Sequence, residues 1–278
     1  SQIIPDPHDT VLYGLINIGG LCLRPGSGQA PHEFTESSLL YGDNLYAANG
    51  TISEDLVSLQ RDVRERQILA DLTAHELSPV VTLTDGPLEL YHEPRIEQQF
   101  QVWFNQYLNA LEEMAQNGVI TAGYVSRPRA DLVVELLKLI VKVESEGHDE
   151  IIPFGLTDTA LFSRLLQPGE RSAIFKFQSR TSADCKGPKE LHFCYLNVGT
   201  SRLPAIARVE IPKWVIEKTE QLDLLQAVLV EQSHQTAEAP YPYPLLRSHE
   251  IAVVRPDDRQ QLTAIIEQEL IRQGMPPS

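Results

Sequence analysis

Two short apolar runs, at residues 80–84 and 119–125, each lead into a stretch of helical periodicity, and that alternation constrains the fold more than any other feature. Neighbouring strands that run parallel need a crossover of about a dozen residues or more, most often a helix. The stretch from about 94 to 116 supplies one, with Phe100, Trp103, Phe104, Tyr107, Leu108 and Leu111 at helical spacing. Residues 129–143 read as a second helix. Strand, helix, strand and helix in succession predict an α/β sheet. Later strands are expected near 173–177, 191–196 and 205–211, with helices over about 220–233 and 257–273.

The N-terminal part reads differently. An apolar run at 11–18, the pair Gly19-Gly20 and a resumed run at 21–23 predict two strands joined by a tight turn. A loop rich in Pro, Gly and Ser is expected over roughly 25–37, followed by a short apolar stretch at 39–41. Ser53, with Glu54 and Asp55 behind it, predicts the N-cap of a helix reaching about residue 75. With no internal repeat and no linker long enough to separate domains, the expectation is one domain over 1–278.

Several function classes lose their usual signals. No run of about 18 apolar residues is present, which removes a membrane-spanning helix. Cys22, Cys185 and Cys194 are odd in number and lack CxxC spacing. Neither a disulfide framework nor a structural zinc site is expected, and a reducing cytoplasm fits. Walker-type, GxGxxG, GxSxG and HExxH motifs are missing. The formal charge of −15 argues against a bare polyanion-binding surface, because counterion release needs clustered Lys and Arg. The charge is uneven, however. Residues 1–120 hold 17 acids and 5 bases, whereas 164–189 hold Arg164, Arg171, Lys176, Arg180, Lys186 and Lys189 against Glu170 and Asp184. Such a strip suits a confined anion-binding groove, or equally a solvated Lys-rich loop.

What is left to carry chemistry is a set of carboxylates and one unusual segment. Asp85 closes an apolar strand and can project from a sheet edge. Hydrolysis of a phosphodiester by divalent cations needs oxygen ligands converging from such positions, although Asp85-Gly86 is also an ordinary turn pair. Glu65 shares a helix face with Ile68, Leu69 and Leu72, so it is expected to point inward, with Asp62 and Arg66 on the outside. A solvated Arg/Glu face with i,i+4 pairing explains the same pattern. From Pro240 to Pro244, alternating Pro and Tyr predict an extended backbone ahead of His249. A His there could bind a metal or assist a leaving oxygen and a Tyr could hold a phosphate; the plainer reading is a stiff connection that packs its aromatics.

Taken in order, these pieces resemble the NurA nuclease family in a bacterial form. The resemblance runs through Ser1-Gln2-Ile3, residues 13–20 and 61–65, Thr84-Asp85-Gly86-Pro87-Leu88 and Gly123-Tyr124-Val125-Ser126-Arg127-Pro128. It continues through residues 168–172, Ala207-Arg208-Val209-Glu210-Ile211-Pro212, and Tyr241-Pro242 as far as His249. The resemblance implies an α/β fold with a ribonuclease H-like core, a mixed central sheet flanked by helices. It implies a Mn²⁺-dependent nuclease with a two-metal site, Mg²⁺ being the alternative ion. The implied activity is that of a 5′→3′ exonuclease and single-strand endonuclease on single- and double-stranded DNA, in end processing and repair. The implied partners are a HerA-type hexameric ATPase and a second copy in a homodimer.

By motif, Glu65 and Asp85 correspond to the family's metal-binding carboxylates and His249 to its catalytic His. Tyr241 corresponds to the companion Tyr, with Tyr243 as the alternative, and Arg127, Lys176 and Arg180 are the expected phosphate contacts. The family's first ligand is an Asp in an Asp-Gly-Ser motif, and this chain begins at what resembles its Ser, so the domain reads as N-terminally truncated. Weak or absent cleavage is therefore expected of the chain as it stands. A non-catalytic adaptor of a DNA-translocating ATPase is the alternative reading.

Overall fold

The structure is a computed structural model that describes residues 1–4, 12–47, 50–91, 97–144, 155–236 and 239–274. Its strands are β1 (Gln2–Ile3), β2 (Gly14–Cys22), β3 (His32–Leu40), β4 (Val81–Asp85), β5 (Ile120–Ser126), β6 (Phe175–Lys176), β7 (Leu191–Asn197) and β8 (Ile206–Pro212). The first helices are α1 (Glu54–Thr73), α2 (Glu97–Gln116), α3 (Leu132–Glu144), α4 (Asp158–Leu165) and α5 (Arg180–Asp184). They are followed by α6 (Lys213–Ile216), α7 (Thr219–Ser233), α8 (Tyr243–Ala252) and α9 (Pro256–Arg272). These elements gather into two compact units. One comprises Ser1–Glu76, Leu90–Asn117 and Pro244–Ser278, the other Leu77–Glu89 and Gly118–Tyr243.

In the first unit, β1, β2 and β3 form an antiparallel sheet in that order. The α-amino group donates to Asn17 O at 2.8 Å and Asn17 N returns a bond to Ser1 O at 2.9 Å, so pairing with β2 extends to Ser1, just ahead of β1. Ile16, Ile18 and Leu40 from the sheet meet Leu45, Val57 and Ile68 in one core cluster. Ser53 caps α1 as expected, its side chain accepting the Leu56 amide at 3.2 Å. α2 buries Phe100, Phe104, Tyr107, Leu111 and Met114. Each large apolar side chain so enclosed contributes roughly 1.5–3 kcal/mol by leaving water.

Four expectations need correction here. Gly19-Gly20 is not a turn, because β2 runs straight through it. The two glycines are places of close approach, the usual meaning of glycine inside a strand. The Phe34 ring, opposite Gly20 in the register, lies where a Cβ would stand, only 2.0 Å away. A Cβ on Gly19 would come within 2.6 Å of Ser248 O and Ala252 N, the backbone of α8. The stretch expected to be a loop to residue 37 is also partly strand, since β3 starts at His32. Its less exposed face carries Glu36 and Ser38 between Phe34 and Leu40, and its exposed face carries Leu39, so the apolar–polar alternation of a one-sided strand is lost.

The outward position expected for Arg66 is likewise wrong, for it is only 2% exposed and lies on the buried stripe with Val63, Ala70 and Thr73. The Pro-Tyr run gives way to helix at Tyr243, with Pro244 in the first turn, where a missing amide costs nothing. The helices α4, α5 and α6 had no counterpart in the sequence reading. Residues 11 and 94–96, included in the expected first strand and second helix, lie outside the described residues.

The second unit holds a five-stranded sheet of order β4-β5-β8-β7-β6, in which β4 and β5 are parallel and the remaining pairs antiparallel. A mixed sheet flanked by helices is consistent with a ribonuclease H-like α/β core. β5, β7 and β8 are largely enclosed, burying Ile120, Ala122 and Tyr124 on β5, Tyr195 and Leu196 on β7, and Val209 and Ile211 on β8. A second cluster joins Tyr195 and Phe193 of β7 to Phe162 of α4 and Val133 of α3. Trp214 on α6 donates its indole N–H to Val119 O at 2.9 Å. All three cysteines are free, and no helix among the described residues is long and apolar enough to cross a membrane.

The packing of α8 on β2 makes Gly19→Ala destabilising by about 1–3 kcal/mol, because the added methyl meets backbone. Gly20→Ala costs less, since the Phe34 ring can turn away. Urea unfolding of the two variants checks this; a Gly19→Ala midpoint equal to that of the wild type refutes the close approach.

Candidate active site

Asp85 is the last residue of β4 and is exposed. Directly after it Gly86 adopts φ +108°, which only glycine takes without strain, and donates its amide to Tyr124 O at 2.9 Å. The chain then lies back across β5. It can do so because Gly123 has no side chain: a Cβ there would stand 2.6 Å from Leu88 N and 2.7 Å from Gly86 O. The Asp-Gly-Pro-Leu motif and the glycine of the Gly-Tyr-Val-Ser-Arg-Pro motif are thus two halves of one contact.

Tyr241 completes the surroundings of Asp85. Its hydroxyl donates to Asp85 Oδ1 at 2.7 Å, and its ring stands edge-on to Tyr124 with centroids 5.5 Å apart. Tyr124 is the register partner of Asp85 on β5. Burial, reinforced by the hydrogen bond to the carboxylate, pushes the Tyr241 phenol well above its ordinary range. Burial does the same to Tyr124. A phenol that stays neutral is a permanent donor, so it holds one carboxylate oxygen in a set direction.

Beneath the turn lies a chain of buried polar groups that sequence reasoning did not single out. Glu210 on β8 is fully buried, and its Oε2 accepts both Leu88 N at 2.9 Å and Glu89 N at 3.0 Å. Its Oε1 is held by Arg208, from Nε at 2.9 Å and Nη2 at 2.8 Å. Arg208 is also hydrogen-bonded to Tyr195, whose hydroxyl donates to Asp158 Oδ2 at 2.5 Å. Asp158 is fully enclosed as well and accepts the first-turn amides of α3, Val133 N and Val134 N, at 2.8–3.1 Å. Beside this chain, burial raises the Glu89 carboxyl above the usual range, and the Ser179 hydroxyl bonds to it. One signal was available: Arg208 and Glu210 sit two apart in an otherwise apolar strand, so they face the same way.

The other expected residues are placed as follows. Glu65 is partly buried in the first unit and ion-paired with Arg66 at 3.1 Å and Arg61 at 3.8 Å. Burial raises its carboxyl above the ordinary range, against the pull of those guanidinium groups and of the Ser1 amine. His249 is exposed on α8, and Tyr243 begins that helix. The contact to Asp85 belongs to Tyr241. Arg127 follows β5 directly, exposed and with φ +48°, uncommon for a residue with a side chain. Lys176 is on β6, at the opposite edge of the sheet from β4, and is ion-paired with Glu190 at 2.7 Å. The side chain of Arg180 lies outside the described residues. With Arg171 paired to Asp223 at 3.1 Å, two charges of the 164–189 strip are met by acids from outside it.

The fold makes the chain an α/β protein whose mixed sheet is consistent with a ribonuclease H-like core. The family model described as the NurA domain matches residues 2–254, and the chain belongs to the NurA family, a family of nucleases. No curated protein and no solved structure matched it.

The Tyr241–Asp85 contact has a measurable consequence in alkali. Unfolded tyrosines ionise near pH 10, whereas the folded state holds Tyr241 protonated. Stability linked to this group is therefore complete below about pH 10 and is lost as pH rises further. Asp85→Asn removes the charged acceptor and lets Tyr241 ionise earlier. Ultraviolet titration compared with Tyr241→Phe reads this directly; identical curves for wild type and Asp85→Asn contradict the contact.

Proposed function

We propose that the chain is a Mn²⁺-dependent deoxyribonuclease of DNA end processing and repair, acting as a 5′→3′ exonuclease and a single-strand endonuclease. The observation that carries this reading is the geometry of Asp85: an exposed carboxylate at a strand end, aligned by a neutral phenol, in a NurA-family chain. Asp85 and Glu65 offer oxygen donors, the chemistry that suits Mn²⁺ or Mg²⁺ rather than thiophilic metals. Among the described residues no group of three or more His, Cys, Asp or Glu gathers as an ion cage. When bound, such an ion supplies activation of water and stabilisation of the leaving oxygen.

The chain's own side chains have separate tasks. Tyr241 orients Asp85, and Glu65 would exchange its arginine partners for the ion. His249 is exposed and able to hand a proton to the departing oxygen. Arg127, beside the end of β5, is the phosphate contact closest in sequence to the strand that pairs with β4; Lys176 and Arg180 would contact DNA elsewhere. A HerA-type hexameric ATPase and a second copy of the chain would complete the working assembly. The adaptor reading draws support from the Glu65–Arg66 and Glu65–Arg61 pairs, which occupy a carboxylate that the nuclease reading needs as a ligand.

Cleavage of linear DNA with Mn²⁺ decides between the two. In a protein extended N-terminally to carry the family's first Asp, Asp85→Ala and His249→Ala each lower the rate by about 100-fold or more on the nuclease reading. If that extended protein cuts no DNA with Mn²⁺ or Mg²⁺ yet binds the ATPase, the adaptor is supported instead. Arg127→Ala weakens DNA binding and lowers its salt dependence by about one phosphate contact. An unchanged salt slope removes Arg127 from the interface.

A further inference from the structure

We infer that Glu210 is a positioning residue for Asp85, acting through the main chain of the turn between them. The inference rests on the reading of Asp85 as a cation ligand and extends it to a residue that touches neither ion nor substrate. All the groups involved belong to one compact unit. Asp85 ends a strand at the edge of the sheet, so nothing on its far side in the strand order holds the chain that follows it. The turn is instead fastened from below. Gly123 lets residues 86–88 settle on β5, and Glu210 Oε2 accepts the two successive amides of Leu88 and Glu89.

A carboxylate that accepts two consecutive amides fixes the peptide plane between them. Glu210 in turn is fixed by the Arg208 fork at 2.8 and 2.9 Å. Arg208 leans on Tyr195, Tyr195 on Asp158, and Asp158 on the amides of α3. The turn is therefore tied to the first turn of a helix through side chains that sit in the sheet. Groups that orient a ligand from behind commonly alter metal affinity by about 10- to 100-fold when removed. Tyr241 aligns Asp85 from the solvent side, and Glu210 sets the backbone from which it projects.

The test measures Mn²⁺ affinity of the whole chain by titration calorimetry for Glu210→Gln, Asp85→Asn and Val209→Ala, each corrected for the folded fraction. Gln keeps an acceptor but loses the charge that holds Arg208. About a tenfold or greater loss of Mn²⁺ affinity is expected for Glu210→Gln. Val209→Ala, a cavity in the same strand, lowers stability and leaves affinity per folded molecule unchanged. If Asp85→Asn abolishes Mn²⁺ binding while Glu210→Gln binds normally, the positioning role is overturned and the ligand reading stands. If Asp85→Asn binds Mn²⁺ as the wild type does, the ligand reading fails. The wild type supplies a measurement that needs no variant to fold. Amide exchange at Leu88 and Glu89 should be slowed to the level of the β5 amides, and free exchange there overturns the proposal.

Discussion

A carboxylate sealed from water has to be matched inside the protein, and Glu210, fully buried, is matched on both oxygens. Removing such a charge from solvent costs several kcal/mol unless geometry and further hydrogen bonds offset it. The second unit answers with an arginine on one oxygen and two main-chain amides on the other, and each answer has structural consequences. The amides come from the turn after β4, so satisfying Glu210 requires that turn to lie flat on the sheet. Lying flat requires Gly123, and it leaves Asp85 at the rim within reach of Tyr241. Asp158 solves the same problem at the other end, where the amides are the unpaired first-turn donors of α3. A wrong partner at any point leaves a buried charge or a buried donor alone, so the network specifies one arrangement more firmly than apolar contacts of similar area would.

The sequence made some of this legible. Asp85 could be placed at a strand end because the apolar run before it stops abruptly at Asp-Gly, and β4 ends at that residue. The aromatic spacing of α2 and the cap of α1 depend on neighbours within a few turns, and both are where local chemistry puts them. Glu210 is not legible in the same way. The amides it accepts lie more than a hundred residues away along the chain, and no local pattern announces that a strand will meet a turn. Asp158 and Tyr195 are hidden for the same reason, being 37 residues apart and joined only by the fold.

Glycine shows where local reading fails in a systematic way. Gly86 reads as a turn residue, and its positive φ agrees. Gly19 and Gly20 read the same way but lie inside a strand. The two uses of glycine, torsional freedom and the absence of a side chain, look identical in sequence. What separates them is whether an aromatic ring or a helix backbone is brought to the spot, and at Gly20 and Gly19 respectively these are Phe34 and α8. Arg66 is a similar case. Its charge predicts exposure, yet it is buried and bonded to Asp62 O and Glu65. A long side chain can lie on the buried stripe when its head finds acceptors on its own helix.

The net charge of −15 bears on the DNA reading only after the acids are sorted by what they do. Glu210 and Asp158 are internal and serve the fold. Glu33, Glu36 and Glu76 are paired with Arg247, Arg64 and Arg24. Such pairs still count in the total, so the far field of the molecule remains repulsive to a polyanion. At physiological ionic strength, however, that field decays over about 8 Å, and a phosphate close to the rim of β4 and β5 feels mainly the groups near it. There the nearby side chains are the exposed Asp85 and the exposed Arg127 that directly follows β5, a balance that one bound divalent cation turns positive. The sum over the chain therefore governs how the protein behaves at low salt, whereas the rim governs whether a phosphodiester can settle beside Asp85.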